Sequence, residues 1–189
     1  MKYRLVICLI MLLTASSIFA QQEIKGFLGV EFGQKSFVSI DILKKQYSNV
    51  EWKHPCIEIK NIPFIGTTFN NLTITFNQEE LAEGTFLLYD DKILFPNPLD
   101  NSQSIQSMIV NNRNYIIQKF TNTFDNLSST FLSKYGNPKS ANNNNIIWRD
   151  ANNNTITLSL TISNSETEIT VGCRGKITVT YRRGANDEF

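Results

Sequence analysis

The chain is poor in the residues that most often hold metals or carry out acid–base catalysis. Its 189 residues include one histidine, His54, and three cysteines. A zinc site takes three or four spaced protein ligands, and no such spacing is present. The G-x-S-x-G motif of many serine hydrolases is also missing. We therefore expect no metal, no cofactor and no catalytic residue. One alternative stays open, a hydrolase-type enzyme with an unrecognised site near His54 and neighbouring carboxylates.

An excess of charge of one sign is also missing. Lysine and arginine together number 18, against 17 aspartate and glutamate residues. Because this balance leaves no basic patch, we expect no nucleic-acid partner. Asp150, Asn152 and Asn154 alternate as in a calcium loop, but the glycine and the distal glutamate of such loops are absent. We expect no calcium there.

The longest apolar run lies at the start of the chain. Leu5 to Leu13 follows the basic residues Lys2 and Arg4, and small residues lead on to Ala20. This order is typical of a secretory signal peptide. We predict cleavage after Ala20, a periplasmic or secreted mature protein, and no membrane span in the mature chain. The alternative is an uncleaved anchor.

Two cysteines remain after such cleavage, Cys56 and Cys173. In an oxidising compartment an even pair of cysteines favours a disulfide. A bridge between them would close a loop of about 117 residues, which the chain-entropy model credits with about 4–5 kcal/mol. The alternative is two separate thiols.

The clearest helical pattern runs from Asn112 to Gly136. Its apolar residues recur at intervals of three and four: Ile116, Phe120, Phe124, Leu127, Phe131 and Tyr135. This period predicts an amphipathic helix with one buried face. Gly136 and Pro138 predict its end. The polar segment before it, 97–111, is predicted to be a linker, although Ile105, Met108 and Ile109 can add one or two helical turns.

Alternating apolar and polar residues predict the strands. The clearest are 71–77, 84–89, 155–163 and 176–182, with a turn at 150–154 and another at 172–175. A shorter helix is expected from Ser36 or Ser39 to Tyr47, with Phe37, Ile40 and Leu43 on one face. Short connections imply antiparallel pairing, and alternation implies one buried and one wet face.

These elements give an α+β fold in which a sheet packs on helices on one face. A weak internal repeat suggests tandem halves, each a helix followed by three or four strands. The predicted domains are a signal peptide at 1–20, a first half at 21–96, a linker at 97–111, a second half at 112–183 and a flexible tail at 184–189.

One segment carries a resemblance to known proteins. Phe131-Leu132-Ser133-Lys134-Tyr135-Gly136-Asn137-Pro138, ahead of the strand with Trp148, resembles small exported proteins of Bacteroidetes. Their helix-plus-meander halves are similar to the tandem fold of the beta-lactamase inhibitor protein. The resemblance covers the second half well and the first half loosely. It implies a fold and an exported location, and it carries no functional residue to this chain.

The broadest functional signal is the wet face of the predicted sheet, which is rich in hydroxyl groups. An uncharged, hydrogen-bonding sheet face of this kind suits a protein or glycan partner in the cell envelope. We therefore expect an exported, non-enzymatic binding protein. A structural component of the envelope is the alternative from the same class. The candidate binding residues are Trp52, Thr157, Ser159, Thr161 and Thr178.

Overall fold

The structure, a computed structural model, describes residues 22–94, 102–166 and 171–184. These contain a short helix and a long helix, α1 (Ser36–Gln46) and α2 (Ser102–Tyr135). The predicted signal peptide, residues 97–101 of the predicted linker and most of the predicted tail lie outside the described residues. The strands are β1 (Gly26–Phe27), β2 (Val30–Glu31), β3 (Val50–Lys53), β4 (Cys56–Phe64), β5 (Thr67–Asn77), β6 (Glu80–Leu94), β7 (Ser140–Asn142), β8 (Asn145–Arg149), β9 (Thr155–Glu166) and β10 (Val171–Arg182).

Eight of these strands form one antiparallel sheet in the order β3-β4-β5-β6-β10-β9-β8-β7, and β1 and β2 form a separate hairpin. Each helix is followed by four strands of the large sheet. The last strand of each set pairs with the other at the centre, and the first strand of each set forms an edge. The structure thus confirms a mixed α and β chain with a large antiparallel sheet.

The central pair β6–β10 makes the sheet continuous. Its register runs without a break from Glu83 opposite Arg182 to Leu94 opposite Val171. Neighbouring strands separated by a whole helix in the sequence therefore become hydrogen-bonded partners.

The apolar stripe of α2 lies on the inner face of this sheet, and all six predicted stripe residues are buried. The ring of Phe131 lies 5.4 Å from that of Trp148 and 6.3 Å from that of Tyr181. The helix ends as predicted, because Gly136 adopts a φ of 74° and its N–H donates to the carbonyl oxygen of Leu132. The indole N–H of Trp148 then donates to the carbonyl oxygen of Gly136 at 3.0 Å.

The start of α2 differs from the prediction. The helix begins at Ser102, so 102–111 is helical and not a linker. Ile105 and Ile109 continue the stripe toward the N-terminus and are half-buried. Burial of these two side chains outweighs the weak helix propensity of the serine and asparagine residues around them.

Two further predictions are wrong. Phe37 does not face the core from α1, since 71% of its surface is exposed, and Leu43 with Ser39 makes the buried contact instead. Nor is 172–175 a turn, because β10 runs straight through it. A Cβ on Gly172 would lie 2.9 Å from the carbonyl oxygen of Lys92, so that glycine permits a close approach between strands.

The predicted disulfide is wrong within one chain. Cys56 is the first residue of β4, Cys173 lies in β10, and both thiols are free. Two strands separate them, and in register Cys56 aligns with Arg182, at the far end of β10 from Cys173. Strand spacing and rise place their Cα atoms about 30 Å apart, whereas a bridge requires less than about 7 Å.

Neither described helix has a stretch long and apolar enough to cross a membrane.

Candidate functional site

The face of the large sheet opposite α2, here called the outer face, carries a row of threonines. Thr73, Thr85, Thr180 and Thr157 lie in register on β5, β6, β10 and β9. All four are half-buried, and the hydroxyl oxygens of Thr85 and Thr180 are 3.2 Å apart. β-Branched side chains suit the pleated backbone, and cross-strand threonine pairs stabilise it. The result is a line of hydroxyl groups across four adjacent strands.

A second uncharged row runs beside the first. It consists of Asn71, Leu87, Thr178, Ser159 and Asn145, in register on five strands. The hydroxyl of Ser159 donates to the amide oxygen of Asn145 at 2.7 Å. The amide nitrogen of Asn71 donates to the Thr73 hydroxyl at 3.2 Å, while its amide oxygen is buried and has no partner among the described residues. Each hydroxyl of the rows can accept two hydrogen bonds and donate one, so the half-buried hydroxyl groups keep hydrogen-bonding capacity for a further partner.

Ion pairs flank the two rows along β6 and β10. At one end Arg182 bonds Glu83 at 2.6 Å, and toward the other end Arg174 bonds Asp91 at 3.3 Å. Exposed pairs of this kind contribute little to stability. They neutralise the charges of Arg182 and Arg174, while Lys176 of β10 adds a positive charge directly beside the second row.

The surface between these ion pairs has the dimensions of a small interface. Arg182 lies eight positions after Arg174 on β10, a distance of about 26 Å, and five strands span about 19 Å. The area is about 500 Å², close to one side of a small transient protein–protein interface.

The structure brings together four of the five predicted binding residues. Thr157, Ser159, Thr161 and Thr178 all lie on the outer face. Trp52 does not, because it aligns with the buried Ile57 and so belongs to the other face, at the edge strand β3. Its exposed fraction is 47%.

Two apolar residues of the outer face were missed. Leu87 lies between Asn71 and Thr178, and Tyr89, 50% exposed, lies opposite Lys176. The alternation of β6, with Phe86 and Leu88 pointing inward, is the signal that would have assigned both to the outer face. Tyrosine is among the residues that most often dominate binding energies.

His54, the only histidine of the chain, is the residue on which the alternative hydrolase hypothesis rests. His54 lies in the exposed turn between β3 and β4, and its ring centroid is 6.1 Å from that of Trp52. Within the described ranges its imidazole has no hydrogen bond and no ion pair. The nearby Glu58 carboxylate accepts a hydrogen bond from Lys53, which raises the pKa of that lysine.

The carboxylate of Asp150 has a structural role. Its oxygens accept hydrogen bonds from the backbone N–H groups of Ile24, Asn152 and Asn154 and from the side-chain amide of Asn154. These bonds join the N-terminal segment to the turn after β8. Four N–H donors occupy its oxygens, which therefore act as acceptors within the fold. Over the ranges that the structure describes, no cluster of three potential metal ligands is found.

The outer face is thus suited to hydrogen bonding and surface contact, and no described group on it is arranged for proton transfer or nucleophilic attack. Comparisons with protein-family models, with curated proteins and with solved structures each found no match.

Proposed function

We propose that the protein is an exported, non-enzymatic binding protein that holds a protein partner on its outer face. The observation that carries the proposal is the pair of uncharged rows, one across four strands and one across five, which lie between the ion pairs Arg182–Glu83 and Arg174–Asp91. A surface without charged groups loses little solvation free energy when a partner covers it. Its remaining donors and acceptors make the contact specific, because they require matching groups at defined positions on the partner. Leu87 and Tyr89 add apolar area within and beside the rows.

A protein partner fits this surface better than a glycan. Sugar rings are commonly held by exposed aromatic rings whose flat faces they cover. Among the described residues the outer face carries one exposed aromatic ring, that of Tyr89 beside the rows, and the exposed Trp52 lies on the other face of the sheet, at its edge. The rows themselves are broad, and hydroxyl and amide groups dominate them.

The tandem arrangement belongs to the same proposal. Each helix precedes four strands, and the two sets meet through their last strands. This order is expected of two related halves about an approximate two-fold axis, as in the resemblance to the beta-lactamase inhibitor protein. The periplasmic or secreted location rests on the signal pattern of residues 1–20.

Site-specific photo-crosslinking in cells tests the proposal. A photoreactive phenylalanine analogue replaces Thr178 on the outer face or, as the matched control, Thr130 on the exposed side of α2. We expect a discrete protein adduct from position 178 and none from position 130. Absence of an adduct at 178, or equal adducts at both positions, would contradict the proposal.

A further inference from the structure

A cleft of about 150 Å³ lies between the first half of α2 and the inner face of the sheet. It is on the opposite side of the sheet from the outer face. Leu94, Ile109 and Val171 supply its apolar walls, Cys173 lies buried in its lining, and Lys92 and Arg113 border it.

The sequence explains why the core opens here. Phe120 fills the space above Gly175, where a Cβ would lie 2.3 Å from the ring. Two turns earlier in α2 the corresponding positions are Asn112 and Arg113, which do not fill the space as an aromatic ring does. Facing them, β10 carries the small residue Cys173. The side chains between α2 and β10 at this level therefore leave part of the space unfilled, and this space is the cleft.

The two cations of the cleft form no ion pair with any side chain that the structure describes. The two carboxylates that directly precede Lys92 in the sequence are engaged elsewhere, since Asp90 binds Lys119 at 2.6 Å and Asp91 binds Arg174 on the outer face. The Lys92 ammonium lies 5.3 Å from the centre of the Tyr115 ring. In the parts of the chain that the structure describes, neither Lys92 nor Arg113 forms an ion pair. Two cations beside an apolar pocket attract an anion with an apolar body.

We propose that this cleft binds a small organic monocarboxylate whose apolar part has about five or six carbon atoms. The size follows from the volume, because a protein cavity of about 150 Å³ accommodates benzene. The carboxylate lies between Lys92 and Arg113, and the hydrocarbon part contacts Leu94, Ile109 and Val171. The side-chain amides of Asn112 and Asn164, which also line the cleft, are further donors.

Cys173 serves as an internal reporter and takes no part in bond formation. Burial raises the pKa of its thiol, although the nearby Arg113 opposes the shift. A buried, protonated thiol reacts slowly, and a ligand over it slows the reaction further. Cys56, about 30 Å away by strand geometry, provides a reference thiol in the same molecule.

Titration with hexanoate, followed by amide chemical shifts, tests the proposal. We expect saturable shifts at residues of the cleft with a dissociation constant on the order of 1 mM. Hexanoate should slow alkylation of Cys173, measured by peptide mapping, and leave that of Cys56 unchanged. Hexan-1-ol, which lacks the charge, should bind at least about five times more weakly.

Single-residue variants show whether hexanoate binds in the cleft or elsewhere on the protein. Arg113→Gln and Lys92→Gln should each weaken hexanoate binding by about five-fold, and Ile109→Trp should abolish it by filling the cleft. Arg149→Gln, at an exposed arginine of β8, is the control and should bind as the wild type does. Shifts outside the cleft, equal binding by the double variant of Lys92 and Arg113, or no saturation by about 20 mM would overturn the proposal.

Discussion

Gly175 of β10 and Phe120 of α2 are in such close contact that no side chain fits between them. A Cβ built on Gly175 lies 2.3 Å from Cδ2 of the Phe120 ring. This contact sets the distance between the long helix and the centre of the sheet. It separates the closely packed core from the cleft beyond it.

Substitution of this glycine should therefore destabilise the fold. We expect Gly175→Ala to lower the free energy of unfolding by about 1–3 kcal/mol, the usual cost of overpacking. Combining it with Phe120→Leu should cost less than the sum of the two single changes, since the smaller side chain makes room. Urea denaturation of the four proteins measures this coupling. Strict additivity would show that the contact does not limit the approach of α2.

The stripe of α2 provides a second prediction. Phe124 is buried against the sheet, whereas Phe37 of α1 is 71% exposed. Phe124→Ala should cost about 3–5 kcal/mol, because it leaves a cavity. Phe37→Ala, the same change at an exposed site, should remain within about 0.5 kcal/mol. Thermal unfolding compares the two, and similar losses would refute the assignment of the buried face.

The oxidation state of the two cysteines tests the structure against the predicted disulfide. When the protein is denatured without a reducing agent, both Cys56 and Cys173 should react as free thiols, as detected by alkylation and peptide mapping. In the native protein Cys56 should react first, because Cys173 is only 3% exposed and burial raises its pKa. A peptide linking the two cysteines would contradict the topology.

The buried phenol of Tyr181 should make the free energy of unfolding depend on pH in the alkaline range. Burial, with a smaller effect of Tyr135, raises the pKa of its phenol well above the ordinary value of 10.0. The unfolded chain ionises this tyrosine near pH 10 while the folded chain keeps it protonated. Its contribution is therefore complete below pH 10 and falls as pH rises further, by up to about 1.4 kcal/mol per pH unit.

Denaturation of the wild type and Tyr181→Phe from pH 8 to pH 11.5 measures this effect. The difference in unfolding free energy between the two proteins should be constant up to about pH 9 and then shift in favour of the variant. A constant difference over the whole range would mean that Tyr181 ionises equally in both states.

The sequence predicts local features of this fold better than distant ones. The period of Phe120, Phe124 and Phe131 indicates the buried face of α2, and Gly136 indicates its end. The start at Ser102 is not predicted, because Ile109 lies beside Leu94 and Val171, on sheet strands distant in sequence. The β6–β10 pairing has no local signal, since a whole helix separates its strands.

For the candidate surface, too, the sequence predicts the features that depend on one strand and misses those that depend on several. Alternation assigns Thr157, Ser159 and Thr178 to one face because each lies between buried neighbours on its own strand. The face of Trp52 is not predictable in this way, because β3 is a short edge strand in which exposure does not reveal the face. Glycines 172 and 175 indicate a turn in the sequence, whereas in the structure both permit close contacts that only the assembled sheet creates.

The most direct test of the outer face as a binding surface is the affinity of variants for the partner captured by crosslinking. Thr180 lies in the middle of the threonine row, and Thr180→Arg places a bulky charge there. Thr130→Arg makes the same change on the exposed side of α2. Circular dichroism first checks that both variants fold. We predict that Thr180→Arg raises the dissociation constant at least about tenfold and that Thr130→Arg leaves it unchanged. Equal affinity of Thr180→Arg and the wild type would contradict the account.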